Sequence, residues 1–189
     1  MLIYLSVHID SDTQVLSTVL GSCVKLWACY PPSAINLDLM YRTGDAEHEF
    51  IALSPYLRYG VHVIKTNQEV LHLPCGWLHA VYTLSRGVPV GINGVSETDI
   101  TTSEQHFIRE AAHEDYSSKD IMGFIYALEL ASQSVDAERQ QGSLETMCRQ
   151  RNTLKRLTKL KYHKVFEACV RALGKNLVDL GCMLCEHCG

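Results

Sequence analysis

Alternating apolar and polar positions dominate the first half of the chain, up to about residue 95. Successive side chains of a strand face opposite sides, so this period of two predicts half-buried strands. Turn-forming residues separate the segments, among them Pro31-Pro32 and Pro74-Cys75-Gly76. The six predicted strands are LIYLSVHID, VKLWACY, GVHVIK, EVLHLP, LHAVYT and GVPVGIN.

The second half places its apolar residues at helical spacing instead. One predicted helix runs from Lys119 to about Ser134, and a longer one from Leu144 to about Leu180. We find no internal repeat and no low-complexity tract. The pattern therefore predicts an α+β protein that is rich in strands first and helical afterwards.

The composition is that of an ordinary globular protein, with 189 residues, 47% of them hydrophobic and 20% charged. The change of hydrophobic pattern near residue 95 predicts a β domain over 1–95 and a helical C-terminal region over 96–189. A net charge of −4 gives no global reason to expect nucleic-acid binding. No apolar run has membrane-spanning length, so we expect no membrane partner. The eight cysteines are scattered, which favours a reducing compartment over a disulfide framework.

Candidate metal chemistry lies on the first predicted strand, where His8 and Asp10 project from the same face. A further histidine on a neighbouring strand completes the two-histidine, one-carboxylate set that binds Fe(II), and His79 in GWLHAVYT is the candidate. Two alternatives remain open here. The His-x-acid pattern arises by chance as well, as in His113-Glu114-Asp115, and a single histidine is often a hydrogen-bonded core residue.

The strand VKLWACY places Lys25, Trp27 and Cys29 on one face. Both faces of this strand are largely apolar, so Lys25 is predicted to point inward, where an ammonium group needs an anion. The alternative is that Lys25 lies near a strand end and extends its charge to water. Trp77 and Tyr82 are predicted to pack the core.

Taken together, these segments resemble the JmjC-domain oxygenases, and especially the branch of histone lysine demethylases that acts on mono- and dimethyl-lysine. The similar segments are GWLHAVYT with Asn93 fourteen residues after His79, YPPSAINLDLM, His8-Ile9-Asp10, and Lys25. The resemblance covers residues 1–93, roughly half of the chain.

The resemblance implies a cupin-like double-stranded β-helix, or jelly roll, of the JmjC type. It implies that His8, Asp10 and His79 hold Fe(II), and that 2-oxoglutarate chelates the metal while its far carboxylate meets Lys25. Asn93 and Thr18 fall where further contacts to the cosubstrate are expected, although the family has a tyrosine at the position of Thr18. The implied reaction is hydroxylation of N-methyl-lysine with release of formaldehyde, on a histone tail or another methylated protein in the nucleus.

The chain departs from the family at its start, because it begins seven residues before His8. We interpret it as N-terminally truncated, with an incomplete barrel, and Leu5 stands where the family often has a hydroxyl residue. Two other functions stay open: a protein hydroxylase with the same iron chemistry, and a non-catalytic JmjC-like module that binds chromatin.

Two features of the helical half suggest further partners. Seven of the 17 Lys and Arg residues lie between Arg149 and Lys164, so this basic helix is a candidate contact for nucleic acid, or simply a solvated face. Cys182, Cys185 and Cys188 are three residues apart, a spacing found among zinc ligands. The alternative is an ordinary chain terminus, because a structural zinc site generally needs a second ligand cluster and none is evident.

Overall fold

The computed structural model of this chain divides it into two compact units, residues 1–94 and 95–189. Each unit is considered by itself. The described residues are 6–10, 13–43, 50–112, 124–128, 130–131, 133–136, 138–139, 141–143, 145–146, 149–150 and 153.

The first unit contains two antiparallel sheets. The four-stranded sheet has the order β1-β6-β3-β4, and the three-stranded sheet has the order β5-β2-β7. Their bounds are β1 His8–Ile9, β2 Gln14–Leu20, β3 Val24–Tyr30, β4 Val61–Lys65, β5 Leu71–Leu73, β6 Leu78–Ser85 and β7 Val88–Gly94. The predicted strands VKLWACY, GVHVIK, EVLHLP, LHAVYT and GVPVGIN are confirmed as β3 to β7.

Two helices, α1 Ala34–Thr43 and α2 Phe50–Leu53, separate β3 from β4. Helix α1 begins after Pro31-Pro32, where the Ser33 hydroxyl accepts a hydrogen bond from the Asn36 amide at 3.3 Å. The buried Asn36 side chain donates to the carbonyls of Pro31 and Arg58 and accepts from the Arg58 amide at 2.8 Å. Asn36 therefore fastens the start of α1 to the segment that leads into β4.

The four-stranded sheet is covered on both faces. On its outer face, Ala28, Tyr30, Leu78 and Ala80 pack with α1 and α2 residues such as Leu37. On its inner face, a second cluster joins residues of β3 to residues of β2 and β5, namely Val15, Trp27, Cys29 and Leu73. The two sheets therefore pack face to face, which is compatible with a β-sandwich.

The second unit begins with a 3-10 turn, Glu97–Asp99, which is capped by Ser96, and continues into α3, Ile100–Ala112. Phe107 of α3 stacks on Phe124, with ring centroids 4.6 Å apart. Helical residues at 124–128 and 130–131 fall within the helix predicted from Lys119 to Ser134. Helix α3 was not predicted from the sequence, and most of the run predicted from Leu144 to Leu180 lies outside the described residues.

Candidate metal centre

The structure brings His8, Asp10 and His79 together at one end of the inner face of the four-stranded sheet. Antiparallel pairing sets His8 directly opposite His79, so their side chains project from the same side. One ligand atom from each of the three residues lies within 4.8 Å of the others. A single ion placed between them can therefore be reached by two imidazole nitrogens and one carboxylate oxygen.

The turn before β6 helps to position Asp10. Gly76 has a φ of +76°, a left-handed conformation that costs little only for glycine. Its amide donates to the Asp10 carbonyl at 3.0 Å. Asp10 follows the short β1, and this hydrogen bond holds its backbone beside the strand that carries His79.

The tautomer of His79 is set by its backbone neighbour. His79 is 2% exposed, and its Nδ1 lies 3.2 Å from the Trp77 carbonyl. A carbonyl can only accept, so Nδ1 carries the proton. Nε2 is therefore the unprotonated nitrogen, and it lies 3.7 Å from Asp10 Oδ2. A histidine whose other ring nitrogen donates to a carbonyl is oriented as metal-binding histidines usually are.

The environment also keeps His79 neutral. Burial, followed by the nearby charge of His8, lowers the pKa of His79 from 6.5 to about 4, although the Trp77 carbonyl and Asp10 act in the opposite direction. At neutral pH the imidazole is therefore uncharged, which is the form that binds a metal.

His79 is packed between two neighbours on the inner face. The ring of His8 lies 3.9 Å away, and that of Trp27 stacks at 5.4 Å, both measured between ring centroids. Cys29 is its direct partner on β3, and burial raises the pKa of this thiol to about 11. Among the described residues, the group that could hold a metal ion comprises His8, Asp10 and His79 and does not include this thiol, so the donors of the site are nitrogen and oxygen.

Lys25 lies on the same inner face, further along β3. Its Nζ donates to the Thr83 hydroxyl at 2.6 Å, and its cross-strand partner on β4 is Lys65. Lys25 and Cys29 are four residues apart, about 13 Å along a strand. The structure thus places Lys25 on the side of the sheet that carries the three candidate ligands, two side-chain rows away from them.

Asn93 and Thr18 lie on the three-stranded sheet. Asn93 pairs with Val15, so it shares the side of the sheet that faces Trp27, but it is exposed. Thr18 lies on the opposite side of β2 from the buried Val15, and its hydroxyl donates to the Glu69 carbonyl at 3.0 Å. Thr18 therefore faces away from the four-stranded sheet, which carries the candidate ligands. Its predicted role stays a prediction.

On this inner face, Lys65 was not predicted from the sequence, and Trp27 was placed there without a role. Lys65 is a buried lysine at the end of β4, and Trp27 has a buried indole N–H without a partner among the described residues. The sequence did place Trp27 beside Lys25. Period-two spacing within GVHVIK also puts Lys65 on one face with Val61 and Val63, but nothing in that segment says which face is buried.

The donor set fits a transition metal. Two imidazoles and one carboxylate form the set that typically binds Fe(II) and leaves ligand positions open, and Trp27 Nε1 offers an unused hydrogen bond beside it. Cys182, Cys185 and Cys188 and most of the basic run from Arg149 to Lys164 lie outside the described residues, so the zinc and nucleic-acid interpretations stay predictions. No helix among the described residues is both long and apolar enough to cross a membrane.

Fold and site together define an α+β protein with two antiparallel sheets, one of which carries at its end a potential metal site of two histidines and one aspartate. No protein-family profile matches the chain. A segment of 101 residues, 52% of the chain, is 32% identical to the JmjC domain-containing histone demethylation protein 1 of Kluyveromyces lactis. The matched segment is 21% of that relative, so the chain spans about a fifth of its length. This similarity supports a relationship to the JmjC family.

Proposed function

We propose that the chain is a JmjC-type dioxygenase that depends on Fe(II) and 2-oxoglutarate and demethylates N-methyl-lysine in histones. The observation that carries the proposal is the grouping of His8, Asp10 and His79 within 4.8 Å, with the metal-binding nitrogen of His79 left unprotonated by its bond to Trp77. The histone substrate and a nuclear location rest on the printed name of the relative.

In this proposal each residue has a physical task. His8, Asp10 and His79 hold the iron from one side, and the buried hydrogen bond of His79 keeps its ring from rotating. Lys25 binds the far carboxylate of 2-oxoglutarate as a compact positive charge. Asn93 and Thr18 are proposed as further cosubstrate contacts, with Thr18 resting on the resemblance alone.

Bound iron, with 2-oxoglutarate and dioxygen, supplies an oxidant that hydroxylates a C–H bond, and a hydroxylated N-methyl group is lost as formaldehyde. The apolar residues between the sheets, including Val15 and Leu73, exclude water from the inner side. His8 is exposed while His79 is buried, so a protein substrate would approach from the side of β1.

The proposal extends to the fold and to the other partners. The two sheets would be the halves of a double-stranded β-helix, and the two domains would divide near residue 95. Binding of nucleic acid by residues 149–164, and of zinc by the cysteine-rich tail, are secondary proposals. Within the basic run, the described Arg149 already pairs with Glu104 at 2.9 Å.

An anaerobic titration with Fe(II) and then 2-oxoglutarate tests this function. The chelated complex gives a visible charge-transfer band, which we expect from the unaltered protein and not from His79→Ala. His62→Ala is the matched control, since His62 is an exposed histidine on the edge strand β4, and it should keep the band.

A folded protein that gives no band would contradict the proposal and favour the non-catalytic chromatin-binding module. If the band forms, mass spectrometry of methylated histone peptides distinguishes the two enzyme functions. Loss of a methyl group with formation of succinate supports a demethylase, and a gain of one oxygen supports a protein hydroxylase.

A further inference from the structure

Lys65 is a charged side chain buried in the interior of the first unit. It is 1% exposed, and its Nζ donates to the carbonyls of Glu69 and Thr66. Among the described residues, no carboxylate pairs with it. Carbonyl dipoles satisfy the hydrogen bonds of an ammonium group, but they do not neutralise its charge, which is costly to bury alone.

A second lysine lies directly opposite. Lys65 on β4 pairs with Lys25 on β3, so both side chains project into the space between the sheets. Lys25 uses its Nζ to donate to the neutral Thr83 hydroxyl. Like charges in directly opposed positions destabilise a sheet, and an anion between or beside them would reverse that effect.

Trp27 adds a neutral donor to the same space. It is 7% exposed, and its Nε1 has no hydrogen-bond partner among the described residues. Along β3 it stands between Lys25 and Cys29, and it stacks on His79. The inner face therefore presents two ammonium groups, then an indole N–H, then the candidate metal ligands.

We propose that Lys65 and Trp27 act with Lys25 as specificity residues for a 2-oxo acid whose far end is a carboxylate. This inference rests on the proposed function, because the oxo-acid end must be held by the metal at His79. Lys65 supplies a second positive charge for the far carboxylate, and the indole of Trp27 donates a hydrogen bond to an oxygen of the ligand. The site should therefore select strongly for an anionic far end.

The test compares two ligands of equal chain length, 2-oxoglutarate and 2-oxopentanoate, which differ in the far carboxylate. Their dissociation constants are measured by anaerobic calorimetry on the Fe(II)-loaded protein. A hydrogen bond to a charged group contributes enough for a change of about 10- to 100-fold in affinity. Lys65→Met should lose 2-oxoglutarate affinity on this scale, while the affinity for 2-oxopentanoate and the binding of Fe(II) stay unchanged.

Three further variants separate charge from structure. Lys65→Gln keeps a donor for the Glu69 carbonyl but removes the charge, so it should lose 2-oxoglutarate affinity as Lys65→Met does. It also decides the question if Lys65→Met does not fold. Lys65→Arg should keep the selectivity. Trp27→Phe keeps an aromatic side chain but removes the N–H, and we expect a loss of 2-oxoglutarate affinity of about 3- to 10-fold, the effect of one neutral hydrogen bond.

Different results would contradict the role of Lys65 and the proposed function. If the unaltered protein binds 2-oxoglutarate and Lys65→Met binds it equally well, Lys65 only fastens the turn after β4 and the inference is overturned. Restoration of full affinity by Lys65→Gln would overturn it as well. If the unaltered protein binds neither oxo acid in the presence of Fe(II), the proposed function itself is wrong.

Discussion

The lowered pKa of His79 predicts a specific pH dependence of folding in the metal-free protein. In the unfolded chain a histidine gains its proton near pH 6.5, whereas His79 in the folded chain stays neutral until about pH 4. Between these values the unfolded state binds more protons, so stability falls as the pH falls through this window. Above pH 6.5 both states are neutral at this position, and the effect vanishes.

The magnitude follows from the two pKa values. Each tenfold difference in proton affinity is worth about 1.4 kcal/mol. The free energy of unfolding should therefore fall by about 3 kcal/mol when the pH is lowered from 7 to 4, because the buried His79 stays neutral. Other groups titrate in the same range, so the quantity to compare is the difference from a variant. His79→Asn keeps a donor for the Trp77 carbonyl but has no titrating group.

Urea unfolding followed by tryptophan fluorescence is the appropriate assay, because both tryptophans, Trp27 and Trp77, belong to the first unit. Between pH 7 and pH 4, we expect the free energy of unfolding of the unaltered protein to fall by about 3 kcal/mol more than that of His79→Asn. His62→Asn, which alters an exposed histidine, should follow the unaltered protein. Parallel pH profiles for the unaltered protein and His79→Asn would refute the reasoning.

Three further predictions concern the framework of the site. Gly76→Ala should destabilise the first unit by about 1 to 2 kcal/mol, since an L-residue is strained at positive φ. It should also weaken Fe(II) binding by shifting the backbone of Asp10. Unchanged urea unfolding would contradict the expected strain. Asn36→Ala should cost about 3 kcal/mol, because it leaves the backbone groups of Arg58 unpaired, and a loss below 1 kcal/mol in the same assay would show that water replaces the side chain. Cys29 should resist iodoacetamide at pH 8 until urea is added, as judged by mass spectrometry, and rapid labelling of the native protein would contradict its burial.

The sequence allowed much of the sheet structure to be predicted, but it missed β2. Along β2 the exposed Leu16 and Leu20 alternate with the buried Ser17, so the usual relation between apolar character and burial is reversed at three positions. A period-two search depends on that relation. Helix α3 was missed for a different reason, since Thr101, Thr102 and Ser103 near its start are poor helix formers.

Some features of the site can be predicted from local sequence, and others depend on contacts between distant segments. That His8 and Asp10 share a face follows from strand geometry alone. The position of His79 opposite His8 depends on cross-strand register, which local patterns do not encode, and here the resemblance supplied it. Neither the strand pattern nor the family resemblance predicted that Lys65 is buried, because its burial depends on which face of β4 meets the other sheet.

The polar groups on the inner face of the four-stranded sheet divide into hydrogen-bond acceptors and donors. His79 has an unprotonated nitrogen 3.7 Å from Asp10 Oδ2, beyond hydrogen-bond distance, so this nitrogen and the Asp10 side chain both offer acceptor atoms. Lys25 and Lys65 lie further along the inner face, and Trp27 lies between them and His79; all three offer hydrogen-bond donors. Acceptors at one end match a metal cation, and donors at the other match an anion. Ligands that bind only the folded chain stabilise it, so the proposed function predicts that Fe(II) and 2-oxoglutarate together raise the free energy of unfolding of the first unit.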